Sequence, residues 1–252
     1  MFSASDDYEQ FMGRWSRRLA PQLVAFADVA EGDEVLDVGS GTGALTFAVA
    51  TIPSARVTGI DPSRAYVAAA SGDGIRFEVG DAQSLRFADD SFDKALSLLA
   101  LNFVPAPATA LREMARVTRP GGVVAAAVWD YGDGMEMLRA FWDEAIALDP
   151  DAPDERHMPL SRRGDLVRAW REQGLDPVED TSLAIEQSFA SFDDYWQPFL
   201  LGQGPAGVYA TSLPEPRRDA LRSRLCTRLG YGGFTLTARA WAVRGIVSAG
   251  TS

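Results

Sequence analysis

The chain has 252 residues, 46% of them hydrophobic, a net charge of −11, one cysteine and one histidine. That length and apolar content suit a single domain with a full core, and the acidic balance argues against a general affinity for nucleic acid or anionic membranes. A lone cysteine excludes an intrachain disulfide and a cysteine-based zinc site, and with one histidine beside it no metal is expected.

The start, MFSASDDYEQFMGRW, carries acids where a signal peptide has a basic stretch. Apolar residues then recur at helical spacing from Arg14 to Phe26, and Val29–Asp33 makes a polar break. EVLDV reads as a short buried strand, followed by the loop GSGTG and a helix over ALTFAVATI. VTGID is a second strand and SRAYVAAAS a second helix, with Ser63 or Asp61 as its cap. IRFEVGD and FDKALSLL are strands three and four. The charge-free run Ala95–Leu111 contains Asn102, Pro105 and Pro107 and is too short for a bilayer. The helix ATALREMARVT ends at Arg119-Pro120-Gly121-Gly122, and VVAAAVWDY is the fifth strand.

Beyond Tyr131 the alternation loosens. GMEMLRAFWDEAIAL and RRGDLVRAWREQG read as helices and DPVEDTSLAIEQSF as strand six. FDDYWQPFLLG and PEPRRDALRSRLCTRLG read as helices, and FTLTARAWAVRGIVS as strand seven. Strand and helix alternating at this spacing predict an α/β fold, a Rossmann-like doubly wound sheet of seven strands. Five parallel strands are followed by an antiparallel edge, with a helical cap. The expected layout is one domain over 1–252: an N-terminal helix in 1–30, a ligand-binding core in 35–131, cap segments around strand six in 132–215, and the last helix and strand in 216–252.

Gly39, Gly41 and Gly43 let the backbone turn tightly and approach a ligand. G-x-G alone does not identify that ligand. Asp37, two residues before Gly39, would repel a pyrophosphate but attract an ammonium or sulfonium. The glycine after Gly41 comes two residues on rather than three, and no G-K-[S/T] ending follows, so dinucleotide and P-loop sites fit poorly. Asp61 ends the second strand, 20 residues past Gly41, where an acid accepts hydrogen bonds from a ribose diol. Asp81 ends the third strand, where a purine amino group would lie. Three acids over a glycine loop describe a ligand with ribose, adenine and positive charge but no phosphate, and S-adenosylmethionine fits.

VLDVGSGTG, VTGIDPS, VGDAQSL, FDKALSLLALNFVP and RVTRPGGVVAAAVWDY together resemble the successive motifs of class I S-adenosylmethionine-dependent methyltransferases. Within that family they are similar to the small-molecule, ubiquinone-biosynthesis-like "type 11" branch, over about Val35 to Tyr131. The resemblance implies that Gly39, Gly41 and Gly43, with Thr42, shape the loop under the methionyl part. It also implies that Asp61, followed by Pro62, binds the ribose, and that Asp81 holds the adenine amine. Ala82 would give its N–H to the ring and the carbonyl near Leu98 would meet the methionyl ammonium. YEQFMGRWSRRLA resembles the branch's N-terminal helix, with Arg14 pairing the methionyl carboxylate and Tyr8 adding its hydroxyl.

Bases are few. His157 in DERHMPLS is a candidate to face the methyl group, against a plain exposed histidine. Asn102, with Phe103 beside it, is a candidate substrate contact or a loop hydrogen-bonder; LALNFVP departs from the [N/D/S]-P-P-[Y/F/W] motif of amino-group methyltransferases. Trp129, Trp142, Trp170, Trp196 and Trp241 are core candidates, and Trp129, ending the fifth strand, has the best claim to line the pocket. FDDYWQPFLLGQGPAGVYA suits a lid over an apolar acceptor as well as it suits a packed helix, and Gly202, Gly204 and Gly207 favour a mobile loop. The expected activity is transfer of a methyl group from S-adenosylmethionine to an O, N or C atom of a small, apolar or ring-bearing acceptor. An NAD(P) oxidoreductase and a non-catalytic cofactor sensor are the alternatives. The protein is expected to be soluble and cytoplasmic, a monomer or homodimer, without nucleic-acid or membrane partners.

Overall fold

Strand order in the computed structural model is β3-β2-β1-β4-β5-β7-β6, for β1 Glu34–Val38, β2 Arg56–Asp61, β3 Arg76–Val79, β4 Phe92–Leu98, β5 Thr118–Trp129, β6 Val178–Phe189 and β7 Phe234–Ile246. The structure describes residues 7–70 and 75–248. The predicted acidic start at 1–6, the Ser71 end of the second helix and the tail of the 216–252 segment lie outside these residues. Strands one to five pair in parallel. The reversed strand of the mixed sheet is β7, which runs antiparallel to both β5 and β6. It lies one place in from the edge, because β6 turns back into the direction of the first five.

β1 sits where the strand order reverses, flanked by β2 and β4, so its carboxyl end opens on the crevice that such sheets use for ligands. Its residues 35–38 are all buried, as expected of a central strand covered on both faces. One cover is the N-terminal segment, a π-helical turn Glu9–Gly13 running into α1, Arg14–Phe26. α1 buries Trp15, Leu19, Ala20 and Leu23 at helical spacing. It packs on α2, Ala44–Val49, and on β6. α3 is Arg64–Ala70 and α4 is Pro107–Val117. The strand after α4 starts earlier than the predicted Val123. Thr118 already pairs with Phe92, and the register slips between Phe92 and Lys94, so the Pro-Gly-Gly stretch is taken up as a bulge.

The cap comprises α5 Glu136–Leu148, the 3-10 turn Glu155–His157 and α6 Arg163–Glu172 ahead of β6. After β6 come α7 Phe192–Trp196, the 3-10 turn Gln197–Leu201, α8 Gly204–Ser212 and α9 Glu215–Leu229. Phe192, Tyr195, Trp196 and Phe199 are all buried. Phe199 stacks on Phe141 with ring centroids 4.5 Å apart, and Tyr195 donates its hydroxyl to the Met137 carbonyl at 3.0 Å. Aromatic pairs of this kind add to the area they bury, so these side chains anchor the cap. The predicted mobile glycine loop is instead largely helix α8. A Cβ at Gly207 would lie 3.0 Å from the Gly202 carbonyl carbon, so its missing side chain serves close packing.

Candidate functional site

A cleft of about 530 Å3 opens beyond the carboxyl ends of β1 to β4, a size that takes a small molecule. The glycine turn forms one wall. Gly39 and Ser40 donate their N–H groups to the Ile60 carbonyl at 2.9 and 2.8 Å, and Gly41 donates to Asp61 Oδ2 at 3.0 Å. Asp61 Oδ1 accepts from Ser63 N–H at 2.8 Å, which starts α3. One carboxylate at the tip of β2 therefore ties the loop after β1 to the helix after β2, and each oxygen keeps further capacity to accept. Burial raises the Asp61 pKa, opposed by those N–H groups of Ser63 and Gly41.

Gly39, Gly41 and Gly43 hold φ of +78°, +54° and +93°, a region costly for residues with a Cβ. At Gly39 that Cβ would also collide with the Ala100 side chain, whereas at Gly41 nothing among the described residues lies within 4 Å. Gly39→Ala is expected to destabilise the fold by about 2–5 kcal/mol, backbone strain and overpacking together, and Gly41→Ala by about 1–2 kcal/mol. Urea unfolding of the two variants checks the order.

Asp37 is fully buried beneath the loop. Thr46 Oγ1 donates to its Oδ2 at 2.6 Å, and its Oδ1 has no partner among the described residues. Desolvation pushes its pKa up to about 7, with the Thr46 hydroxyl and N–H pulling the other way. A recess of about 20 Å3 separates Asp37 from Tyr8, Ser16 and Thr42. Asp81 is exposed at the far end of the cleft. Its Oδ1 accepts from Gln83 N–H at 2.8 Å, and Gln83 Oε1 accepts from Ala106 N–H at 3.1 Å. At the end of β4, Leu99 holds φ +60° while its N–H donates to the Ala127 carbonyl at 2.8 Å.

Residues 36–126 match the family described as a methyltransferase domain. The ubiquinone/menaquinone biosynthesis C-methyltransferase UbiE of Bdellovibrio bacteriovorus is 39% identical over 110 residues, 41% of this chain and 47% of the relative. The erythromycin 3''-O-methyltransferase of Saccharopolyspora erythraea is 38% identical over 200 residues, 72% of this chain and 62% of the relative. Residues 36–126 belong to the methyltransferase-domain family. The chain spans about half the length of the curated relatives it matches. In fold it resembles the phosphoethanolamine N-methyltransferase 2 of Haemonchus contortus, solved with phosphomonomethylethanolamine and S-adenosylhomocysteine. The TM-score is 0.59 at 17% identity, over 97% of this chain and 57% of that one.

The fold brings most of the predicted residues to the cleft. Tyr8, Gly39, Gly41, Asp61, Pro62, Asp81, Ala82, Leu98 and Phe103 line it, while Asp37 and Thr42 border the recess beside it. Gly43 stands behind the loop, where a side chain would strike Phe47 and Phe77.

Two expectations, at Arg14 and Trp129, are corrected, and two alternatives left open, at His157 and Asn102, fall to the plainer one. Arg14 does not line the cleft: it pairs with Asp194 at 3.0 Å and lies 4.9 Å from the Phe189 ring centroid. On a helix of 3.6 residues per turn, Arg14 and the recess residue Ser16 point about 200° apart, so Arg14 faces β6 and the cap. Trp129 does not line the cleft either and is core, paired in register with Ala240 of β7. His157 is exposed on its 3-10 turn, and the buried acid there is Glu155, which accepts from Trp142 Nε1 at 2.8 Å. Asn102 is buried and donates to the Tyr131 hydroxyl at 3.4 Å, which makes it a loop hydrogen-bonder.

Sequence reasoning missed Tyr66 and Gln83, which line the cleft together with Gln203 and Gly204 of the predicted lid segment, and Glu9, whose carboxylate accepts the Thr42 hydroxyl. Tyr66 was within reach, since it lies in the first turn of the helix that Ser63 opens. Its ring centroid is 5.5 Å from that of Tyr8.

Proposed function

We propose that this protein is an S-adenosylmethionine-dependent methyltransferase that modifies an O, N or C atom of a small, apolar or ring-bearing acceptor. The observation that carries the reading is the Asp61 carboxylate bonded to the Gly41 N–H at 3.0 Å, at the head of a cleft that no lysine or arginine lines among the described residues. A nucleoside carrying positive charge suits such a cleft, and a diphosphate does not.

The residues present fit that cofactor on their own chemistry. Asp61 has lone pairs left for two ribose hydroxyls, Asp81 and Ala82 border the space beyond it, and the unpartnered Asp37 Oδ1 supplies negative potential under the loop. When bound, S-adenosylmethionine supplies a methyl group on a cationic sulfur. The chain's own part is to hold and orient the acceptor and to exclude water. Leu99, Leu101, Phe103, Val104 and Pro105 make an uncharged stretch of the cleft wall, and Phe103 is 56% exposed there. Apolar surface of this kind favours an apolar acceptor, and Gln203 and Gly204 close over it from the cap. With His157 outside the cleft, rate acceleration rests mainly on positioning.

Among the described residues no helix is long and apolar enough to cross a membrane; the protein is proposed to work in the cytoplasm as a monomer or homodimer on a diffusible substrate. Calorimetric titration with S-adenosylhomocysteine and, separately, NAD tests the cofactor. Saturable heat with the first and none with the second is expected, and binding of NAD alone overturns the reading.

A further inference from the structure

The cleft accounts for only part of the charge-free run Ala95–Leu111. That run leaves β4, supplies cleft wall as far as Pro105, and continues into the first turns of α4. There it borders a second hollow, of about 300 Å3, between α4 and α6. Pro107, Ala108 and Leu111 of α4 line this hollow together with Leu160, Ala169 and Trp170. The charged residues along it are Asp165, Arg168 and Glu172 of α6, and Arg168 and Glu172 are exposed to water. Leu101 borders both the cleft and the hollow. It is buried and opens the 3-10 turn Leu101–Phe103, where its carbonyl accepts the Val104 N–H at 3.2 Å. Turns of this kind are short and have poorer hydrogen-bond geometry than an α-helix. The two spaces therefore meet at one leucine on a short turn.

Backbone strain marks both spaces. Leu99, in the cleft wall, and Leu160, in the hollow, each hold φ +60°, a region costly for a residue with a Cβ. Such strain persists only where the surroundings over-determine it, and it collects at ligand clamps. Space gives a second reason to join the two. A cleft of about 530 Å3 is of a size for one small molecule, yet it has to hold cofactor and acceptor together. We infer that the hollow between α4 and α6 is a second acceptor compartment, which takes an unbranched hydrocarbon substituent passing Leu101 from the cleft. This rests on the methyltransferase reading above. A change of rotamer at Leu101 lets such a chain through, and the apolar residues of α4 and α6 then bury it. The reactive end of the acceptor stays in the cleft, while Leu101 and the hollow select for the length of what is attached to it.

The test titrates 4-alkylphenols, from ethyl to octyl, by calorimetry into the protein saturated with S-adenosylhomocysteine. In the native chain affinity is expected to keep rising along the series, by about 3- to 4-fold per added methylene. Ala108→Trp fills the hollow from an exposed position on α4. It is expected to leave the ethyl member within about 2-fold and to weaken the octyl member at least about 10-fold. Leu101→Ala removes the partition and is expected to tighten the octyl member about 3- to 10-fold relative to the ethyl one. Thermal melting checks that each variant folds, and the exposed Ala108 site keeps the test available should the core variant fail. Affinity that stops rising at the propyl member, an octyl affinity that Ala108→Trp leaves unchanged, or no binding of any alkylphenol overturns the inference and leaves the cofactor reading intact. Failure of the unaltered protein to bind S-adenosylhomocysteine overturns the cofactor reading instead, and the same series titrated without it still reads the hollow.

Discussion

Asp37→Asn is expected to stabilise the ligand-free protein at neutral pH by about 4 kcal/mol and to weaken cofactor binding at the same time. The side chain is fully buried with one oxygen unpartnered, and desolvation lifts its pKa from the ordinary 3.8 to about 7. A raised carboxyl pKa means that the folded state prefers the neutral form. Its stabilisation is complete below the unfolded pKa and is lost as pH climbs towards about 7. Asparagine never ionises, so it escapes that loss, whose size follows from about 1.4 kcal/mol per pKa unit. Urea unfolding at pH 4 and pH 8 should show the gain at the higher pH and little at the lower. In the functional reading the same ionisation helps a cationic ligand. S-adenosylmethionine affinity should then rise across pH 6–8 in the native chain and stay flat in Asp37→Asn. A flat profile in both would separate Asp37 from ligand charge.

Asp61→Ala carries the second large effect. The variant loses a buried acceptor that holds the Gly41 and Ser63 N–H groups at 3.0 and 2.8 Å. A charged acceptor is worth about 1.5–3 kcal/mol, so S-adenosylhomocysteine affinity should fall roughly 10- to 100-fold. Loop loosening would produce a similar fall, and the 2′-deoxy analogue of the ligand tells the two apart. If Asp61 bonds the ribose directly, removing the 2′-hydroxyl costs the native protein about tenfold and the variant almost nothing, a coupling that a double-mutant cycle measures. Additive losses would make Asp61 a scaffold residue alone.

Much of this site is written in short segments of chain. The alternation of strands and helices over Val35–Tyr131, the glycines of the turn and the acids at three strand tips are local patterns. Hydrophobic period, strand length and the position of a residue at a strand's end decide them. Asp61 is 20 residues from Gly41 in sequence and bonds to it in space because one helix and one parallel strand carry the chain to the neighbouring tip. The late strands were legible too, since Phe234, Leu236, Ala238 and Ala240 alternate with polar neighbours.

Charge pairing was not legible. Arg14 meets Asp194 across 180 positions, and Glu9 meets Thr42 across 33. Neither follows from spacing, because the phase of a helix about its own axis sets which side chain faces which neighbour, and that phase is fixed by packing against distant elements. The Trp129 ring lies in the core for the same reason: its strand end pairs with β7 and its side chain is buried. Local pattern was enough for the sheet, its glycine turn and the acidic strand tips, since each is settled within a few residues of chain. Which side chains meet at the loop and which line the rest of the cleft depend on contacts between segments far apart in the chain, and these exist only once the cap and the N-terminal helix have docked.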